Sequence, residues 1–472
     1  MIKLIRNELY KIFHKKLIYV ILILAIFGSI FFGAIEKALS NNQGGIVTAA
    51  NSMVVESYEK QGDTTSPEYI DAKVSYETSK IKQDRKIRST SPEAFYIDNT
   101  VYNLYKDYYV ASTQSYDQAE IDKTKKALDE AIAKLDNFGW REIVNKDLEE
   151  IDDKQCDYTS DKEDCLNQNQ AQRLVLEYRL KHNIPYSDNY SSNELFAYPA
   201  NYQSYMTSKD SNDEALSFQK KYEKAENEAH YKVSDYLIKN ELLEDDTDSY
   251  PSGEDMVYKF STPSFLVLIV LLTLSASSVA EEFNKGTIKQ LLVKPYSRSK
   301  ILLSKMVSVF IATIIVLFIV NISTTVISAL FSGDITSIFD NKVIFNYKTH
   351  ECMEMSYIKL SLLSLLYSLP MIILLGLFVF TLSIISTNTA FSLGMGFGAY
   401  ISTEIFTMLM NRFKFLSYMP TVNYDLTQYM FGHMPDMEQL SFTKAVAVDI
   451  VSFVVLMIVC FVVFKKKDIK NQ

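Results

Sequence analysis

Long uncharged apolar runs alternate with densely charged stretches along this chain of 472 residues. Most of these runs are about twenty residues long, the length that an α-helix needs to cross the hydrocarbon core of a membrane. One run, from Leu360 to Thr403, has about twice that length and contains the polar break Ser386-Thr387-Asn388. The pattern predicts six membrane-spanning helices, at residues 15–36, 260–280, 304–332, 359–385, 389–411 and 444–464.

The charges between the spans predict their orientation. Lys and Arg gather before the first span, between the second and third, and after the sixth at Lys465-Lys466-Lys467. Between residues 36 and 258, Asp and Glu outnumber Lys and Arg by 44 to 26. Cytoplasmic loops retain positive charge, whereas long domains cross regardless of charge. We therefore expect both termini in the cytoplasm, the acidic block outside, and, from a composition typical of low-GC bacteria, a bacterial plasma membrane.

Residues 1–14 place apolar side chains at helical spacing, with Lys3, Arg6 and Lys11 on the other face. This pattern predicts an amphipathic helix that lies in the headgroup region and attracts anionic lipid; the alternative is a basic flank of the first span. A secretory signal peptide also begins with basic residues and an apolar core. Because no convincing cleavage site accompanies the long apolar run, we favour an uncleaved anchor.

Residues 37–259 are predicted to form a mostly helical domain. Lys123–Asp153 and Asp213–Leu243 carry apolar residues three and four positions apart among strong helix formers. The chain is thus expected to be an all-α membrane protein with six spanning helices, cytoplasmic termini and a mostly helical extracellular domain between the first two. The other segments are an outer loop at 333–358, an outer loop or re-entrant segment at 412–443, and a cytoplasmic tail at 465–472.

Two features of the acidic block have competing interpretations. Cys156 and Cys165 form a disulfide outside the membrane or remain two reduced thiols. The acidic clusters at 152–164 and 245–255 offer oxygen ligands for Ca²⁺, but neither has the spacing of an EF-hand loop. A solvated acidic surface is the favoured interpretation, and no metal site is predicted.

The segment at 281–303 lies between the second and third spans and is expected to face the cytoplasm. It begins with Glu281 and Glu282, turns at Gly286, and continues as a short amphipathic helix that Pro295 ends. A short helix in this position would let a soluble partner move the second and third spans together.

This segment resembles the cytoplasmic loop of the ABC type-2 permease family. The residues that carry the resemblance are, in order, Glu281-Glu282, Gly286-Thr287, Leu291-Leu292, Pro295 and Ser297-Arg298. The opening IRNELYKIFHKK and the closing FKKKDI also resemble the ends of such permeases. The long block at 37–259 departs from the pattern, because many relatives have little sequence there.

The resemblance implies two six-span permease subunits, identical or paired with a sibling, and two separate ATPase subunits beneath them. It implies the export of lipids, glycans, peptides or drugs, with ATP and Mg²⁺ bound by the ATPase and no cofactor bound by this chain. The residues it assigns to ATPase coupling are Glu281, Glu282, Gly286, Thr287, Leu291, Leu292, Pro295 and Arg298. The alternative is that the acids and Arg298 only cap helices and follow the charge rule.

Catalytic motifs are not found in the sequence. The phosphate-binding pattern GxxxxGK[ST] does not occur, and His350-Glu351 lacks the second histidine of a zinc-protease helix. We therefore expect neither an enzyme nor a nucleic-acid partner.

Two acids, Glu404 and Asp449, lie inside predicted spans. An acidic side chain in lipid costs at least ~2.5 kcal/mol on insertion scales, so such residues usually face a bundle interior or water. They are candidates for the outer mouth of an export path, or for pairing with Lys359 or Arg412. The alternative is that both are interfacial.

The function predicted from the sequence is the membrane subunit of an ATP-driven exporter. The acidic outer block suggests a cationic antimicrobial peptide as substrate, with a drug or a lipid as alternatives. The competing class is a membrane-anchored receptor whose outer domain binds a peptide, phage or host factor without an ATPase.

Overall fold

The computed structural model describes residues 1–87, 91–113, 117–158, 162–186, 190–209, 216–243, 252–262, 264–287, 296–332, 335–435 and 437–467. The chain divides into two compact units. We call Met1–Gly33, Ser217–Tyr222 and Pro251–Gln472 the membrane unit, and Ala34–Leu216 with Glu223–Tyr250 the insert unit.

The described residues are mostly helical. In chain order the helices are α1 (Ile2–Phe13), α2 (Lys16–Lys60), α3 (Pro67–Asp84), α4 (Pro92–Tyr96), α5 (Tyr102–Thr113), α6 (Gln118–Ala133), α7 (Trp140–Glu150), α8 (Lys162–His182), α9 (Tyr190–Lys209), α10 (Phe218–Lys239), α11 (Ser252–Ser261), α12 (Phe265–Asn284), α13 (Arg298–Ser332), α14 (Tyr357–Ser386), α15 (Thr389–Met410), α16 (Pro420–Asn423) and α17 (Phe442–Lys466). The mostly helical character predicted from the sequence is confirmed.

Four helical stretches of the described chain are long and apolar enough to cross a membrane: Gly253–Asn284, Arg298–Phe331, Tyr357–Ser386 and Phe442–Lys466. A fifth is possible if Ile2–Phe13 and Ile18–Phe31, which meet at a bend of 56°, form one broken span. Length and composition therefore select four or five spans, fewer than the six that the sequence analysis predicted.

The first predicted span, at 15–36, is counted only as part of the bent pair. The predicted span at 389–411 is not counted, because its residues form α15, which is not among the helices apolar enough to cross a membrane. The glycines Gly394, Gly396 and Gly398 contribute no side chain, and Glu404 adds a charge, so its mean hydropathy is reduced.

The prediction of an all-α fold is wrong in one segment. The loop predicted at 333–358 contains an antiparallel hairpin, β1 (Asn341–Asn346) and β2 (Glu351–Ser356), with Asn341 opposite Ser356. Val343, Ile344 and Phe345 are β-branched or aromatic and favour strands. The turn between the strands includes His350, with a φ of +57°.

Helices α12 and α14 form the interior of the membrane unit. Within their apolar stretches 65% and 67% of the residues are buried, against 11% in α17. Their contact includes the hydroxyl of Ser383, which donates to the carbonyl oxygen of Ala276 at 2.7 Å and accepts from the N–H of Ala280 at 3.1 Å. Hydrogen bonds between membrane helices of this kind hold neighbouring helices in register.

Small residues allow α15 to approach this interior closely. A Cβ atom added at Gly396 would lie 2.5 Å from Val379 Cγ2 and 3.0 Å from Leu272 Cδ2. Close approach of helix backbones at small residues is typical of membrane bundles. Close packing therefore requires a small residue at Gly396, whereas added Cβ atoms at Gly394 and Gly398 would meet nothing within 4 Å.

The described residues of the insert unit include the later part of α2, the helices α3 to α9 and the part of α10 that follows Tyr222. One core cluster contains Ile97, Val101 and Leu128, and another contains Ile70 and Val74. The helical pattern over Lys123–Asp153 corresponds to two helices, α6 and α7, with a 3₁₀ turn and Phe138-Gly139 between them. A disulfide joins Cys156 and Cys165, whose Cα atoms are 5.5 Å apart.

Candidate functional site

The N-terminal helix α1 packs against the first half of α13. Its apolar face buries Ile12 and places Leu9 and Phe13 against the core of the membrane unit. The hydroxyl of Ser308 on α13 donates to the carbonyl oxygen of Ile5 at 3.2 Å. The amphipathic helix predicted at residues 1–14 is therefore present, and it contacts the helical bundle.

Lys305 is buried at the contact between α1, α12 and α13, with its side chain only 1% exposed. Its ammonium lies 2.9 Å from Glu8 Oε2 and 2.6 Å from Glu282 Oε1. A lysine buried without a partner would be strongly disfavoured. These two carboxylates, from two other helices, form the ion pairs that compensate for the burial of Lys305.

Lys11 closes the arrangement from the solvent side. Its ammonium lies 3.0 Å from Glu8 Oε1 and 3.4 Å from Glu282 Oε1, and its side chain is half exposed. We call Glu8, Lys11, Glu282 and Lys305 the Lys305 network. Its two positive and two negative charges balance, and each carboxylate contacts both ammonium groups.

Glu281 makes a second, more exposed connection beside this network. The ammonium of Lys15 lies 3.3 Å from the Glu281 carboxylate and donates to Ser277 Oγ at 2.8 Å. Lys285 approaches the same carboxylate at 3.5 Å. Glu281 thus joins the beginning of the chain to the end of α12.

Glu281 and Glu282 both occupy the last turn of α12, within the helix and not in the loop expected from the sequence. Negative charge at a helix C-terminus opposes the helix dipole. The ammonium groups of Lys11, Lys15 and Lys305 compensate for this unfavourable negative charge at the end of α12.

The pKa of Glu8 reflects the same balance. Burial alone would raise it, but the positive charge of Lys305 and hydrogen bonds from Lys305 and Lys11 outweigh burial and hold the pKa below its usual value. Glu8 is therefore a carboxylate at neutral pH.

Gly286 and Thr287 shape the end of α12. Gly286 has a φ of +66°, a left-handed conformation that glycine adopts without steric cost. The hydroxyl of Thr287 donates to the carbonyl oxygen of Glu282 at 3.4 Å. Leu291, Leu292 and Pro295, the other coupling candidates of this segment, lie outside the described residues.

Arg298 begins α13 and contacts the end of the last helix. Its Nη1 donates to the carbonyl oxygens of Lys465 at 3.1 Å and Lys467 at 3.5 Å. Lys467 in turn donates to the carbonyl oxygens of Ile384 and Ile385 at the end of α14. The geometry of Arg298 is that of a helix cap, the alternative role considered in the sequence analysis.

The two acids of the predicted spans lie in different surroundings. Glu404 is exposed on α15, whereas Asp449 on α17 is only 7% exposed. In the described part of the chain neither forms an ion pair with Lys359 or Arg412. The structure does not bring the two acids together.

Sequence reasoning did not single out Glu8, Lys11 or Lys305 as site residues. Two features of the sequence could have drawn attention to them: Glu8 is the single acid in a basic helix, and Lys305 lies just inside the apolar run of the third span. Neither signal identifies a partner, because the chain separates Glu8 from Lys305 by 297 positions. Among the described residues, no group of three or more His, Cys, Asp or Glu converges as a metal site would require.

Comparison with known proteins places the chain among uncharacterised relatives. It is 28% identical to the uncharacterized protein YhcI of Bacillus subtilis (strain 168) over 219 residues, which cover 45% of this chain and 69% of the relative. It is 26% identical to the uncharacterized membrane protein YdbK of the same organism over 238 residues, covering 50% and 89%. No solved structure matches. The model of the family described as "Protein of unknown function (DUF2705)" matches residues 226–470, more than half of the chain, and the chain belongs to that family.

Proposed function

We propose that this chain is the membrane subunit of an ATP-driven exporter whose ATPase is a separate protein. The Lys305 network is the observation that carries the proposal. It joins the amphipathic helix α1, the C-terminal turn of α12 and the first turns of α13 through buried charges.

The ion pairs of this network would resist separation of the three helices when a partner protein moves one of them. Separating the partners would leave a charge buried without compensation, at a cost of roughly 3–5 kcal/mol. A partner that pushes on α1 or on the segment 285–297 would therefore move α12 and α13 together.

The resemblance to ABC type-2 permeases adds the rest of the assembly. In the proposed assembly ATP and Mg²⁺ bind to the ATPase subunits, and a second permease subunit, identical or a sibling, completes the path. The end of the bundle that carries the Lys305 network faces the cytoplasm, α15 completes a set of six spans, and the insert unit lies outside a bacterial plasma membrane.

For the substrate we propose a cationic peptide. Residues 36–258 carry 44 acidic against 26 basic residues, a larger negative excess than the net charge of −9 of the whole chain, and such a field raises the local concentration of positively charged ligands. A drug or a lipid would need no such field.

The test is co-purification from native membranes. The tagged chain is gently solubilised and captured, and its partners are identified and quantified by mass spectrometry. We expect an ATPase subunit in stoichiometric amount, reduced at least severalfold by Glu282→Arg.

Glu438→Arg is the matched control, since Glu438 is an exposed acid of the same unit and its reversal should leave the ATPase bound. Reversing all four charges of the network, with Glu8→Lys, Lys11→Glu, Glu282→Lys and Lys305→Glu, restores an opposite charge at every contact and should recover part of the binding. Capture of no ATPase from wild type would overturn the proposal and favour a receptor whose insert unit binds its ligand without ATP.

A further inference from the structure

Asp449 is a buried acid on a helix that is otherwise mostly exposed. The residues of α17 with the least exposure are Ala445, Asp449, Cys460 and Phe464. Positions 445 and 449 are one turn apart and share a helix face. The side chain of Asp449 therefore points into the bundle, on the side opposite the exposed residues Ile450 and Val451.

Neither carboxylate oxygen of Asp449 has a hydrogen-bond partner among the described residues. The nearest lysine along the helix, Lys444, is directed elsewhere: its ammonium donates to Ser417 Oγ at 2.6 Å and to the carbonyl oxygen of Gln439 at 3.0 Å. Among the residues that the structure describes, no cation forms an ion pair with Asp449.

The segment that precedes α17 supplies an unpaired hydroxyl. Tyr429 packs with Ala445 and with Tyr367 of α14, and its buried hydroxyl also has no hydrogen-bond partner among the described residues. Burial, together with the charges that Asp449 and Asp425 carry at the high pH where a tyrosine ionises, raises the pKa of Tyr429 to about 12. Asp449 and Asp425 therefore both act on Tyr429.

The ionisable groups around this end of α17 are Tyr367, Asp425, Tyr429 and Lys444. Asp425 accepts hydrogen bonds from the N–H and hydroxyl of Thr427, at 3.0 and 2.6 Å. An acidic side chain supplies no positive charge that could stabilise a second carboxylate. None of these groups stabilises an ionised Asp449.

A buried carboxylate without a counter-charge or hydrogen bonds usually becomes neutral by binding a proton. A metal ion would instead require several oxygen ligands in one shell. The described residues contain no group of three or more acidic, histidine or cysteine side chains that could supply them. A proton is the ligand that fits this site.

We propose that Asp449 is a proton-binding site, neutral in this conformation at pH 7, which releases its proton when this end of α17 opens to water. A conformation that exposes Asp449 would then bind one proton fewer than the closed one. The opening of the bundle would depend on pH, whether or not an ATPase is attached.

Infrared spectroscopy of the purified full chain in detergent tests the protonation directly. The difference spectrum between wild type and Asp449→Asn at pH 7 should contain the C=O band of a protonated carboxyl, sensitive to exchange into D₂O. Glu438→Gln, which removes an exposed acid, should give carboxylate bands instead. A carboxylate signature for Asp449 at pH 7 would overturn the proposal.

Thermal unfolding over a range of pH provides a second readout. A carboxyl that is neutral when folded and ionised when unfolded makes the folded state bind one more proton. Its stability contribution is therefore lost as pH rises above about 4, the usual pKa of Asp.

The unfolding constant of wild type should rise about tenfold per pH unit relative to Asp449→Asn, until the folded carboxyl itself ionises. Parallel pH profiles of the two proteins would contradict proton binding by Asp449, and Glu438→Gln should follow wild type.

Discussion

The ammonium of Lys305, in the first turns of α13, lies 2.6 Å from Oε1 of Glu282, in the last turn of α12. Glu8, from a third helix, approaches the same ammonium at 2.9 Å. Because Lys305 is buried, this contact is shielded from solvent and salt far more than a surface ion pair. It fixes the relative positions of three helices at one end of the membrane unit.

Removing the central cation should destabilise the protein strongly. Lys305→Met leaves Glu8 and Glu282 buried without their main counter-charge, and we expect a loss of about 3–5 kcal/mol of stability, measured by thermal or denaturant unfolding in detergent. Lys300→Met, an exposed lysine of the same helix, is the matched control and should change little.

Neutralising Glu8, Glu282 and Lys305 together should then restore the stability of the protein. Because replacing a complete buried ion pair by neutral groups is often tolerated, Glu8→Gln and Glu282→Gln combined with Lys305→Met should recover most of the lost stability. A triple variant as unstable as Lys305→Met would show that packing of the lysine stem, and not charge, is responsible.

The depressed pKa of Glu8 predicts a specific pH dependence. Unfolded Glu has a pKa of about 4.3, and burial is outweighed in the folded protein by Lys305 and Lys11. The stabilisation is therefore complete above about pH 4.3 and lost as pH falls through the lower, folded pKa. Glu8→Gln should lower the melting temperature at pH 7, with the deficit shrinking below about pH 4. A deficit independent of pH would contradict the ion pairing of Glu8.

Two glycines of α15 form a matched pair for testing helix packing. Gly396→Ala places a methyl group against Val379 and Leu272, whereas Gly398→Ala places one in open space. Overpacking typically costs about 1–3 kcal/mol, while alanine in an open helical position is favourable by up to about 1 kcal/mol. The melting temperature in detergent should therefore be lower for Gly396→Ala than for Gly398→Ala. Equal stabilities would mean that α15 does not pack closely on α12 and α14.

The disulfide offers a test of which side of the membrane holds the insert unit. Disulfides persist in oxidising compartments and are rare in the cytosol. If the insert unit lies outside the cell, an impermeant thiol reagent should label Cys156 and Cys165 in intact cells only after mild reduction. Labelling without reduction, or only after cell lysis, would contradict the orientation or the bond.

Loss of the same disulfide should weaken the insert unit. Cross-links of short loops contribute about 2–4 kcal/mol, so Cys156→Ser with Cys165→Ser should lower resistance of the full chain to proteolysis within this unit. Cys460→Ser, at a buried cysteine outside the disulfide, controls for the loss of a thiol elsewhere.

The helices were largely predictable because their signals are local. Charge-free runs of sufficient length indicate spanning helices wherever they occur. The helices α13, α14 and α17 coincide with such runs. The polar triplet Ser386-Thr387-Asn388 marks a true break: Thr387 has a φ of +52° and the Asn388 side chain accepts from the N–H of Phe391. The pattern of α15 is less apolar than that of these three helices, because it contains glycines and Glu404.

The local sequence pattern did not predict the hairpin β1–β2. The segment is short and lies between two long apolar helices, so the period-two pattern of Val343 and Phe345 covers few residues. The strand pair becomes stable through its ladder and through tertiary contacts such as the N–H of Tyr347, which donates to the carbonyl oxygen of Phe431 at 3.0 Å. Isolated two-stranded hairpins are marginal at best.

By itself the sequence determined the apolar stretches, the helical character, the acidic insert and the acid pair Glu281-Glu282. Only the tertiary structure decided that Lys305 is their buried partner, that Arg298 caps the last helix, and that Asp449 is enclosed while Glu404 is not. The physical reason is that hydrophobic periodicity depends on neighbouring residues, whereas the energy of a charge depends on what surrounds it. For Lys305 those surroundings come from residues far away along the chain.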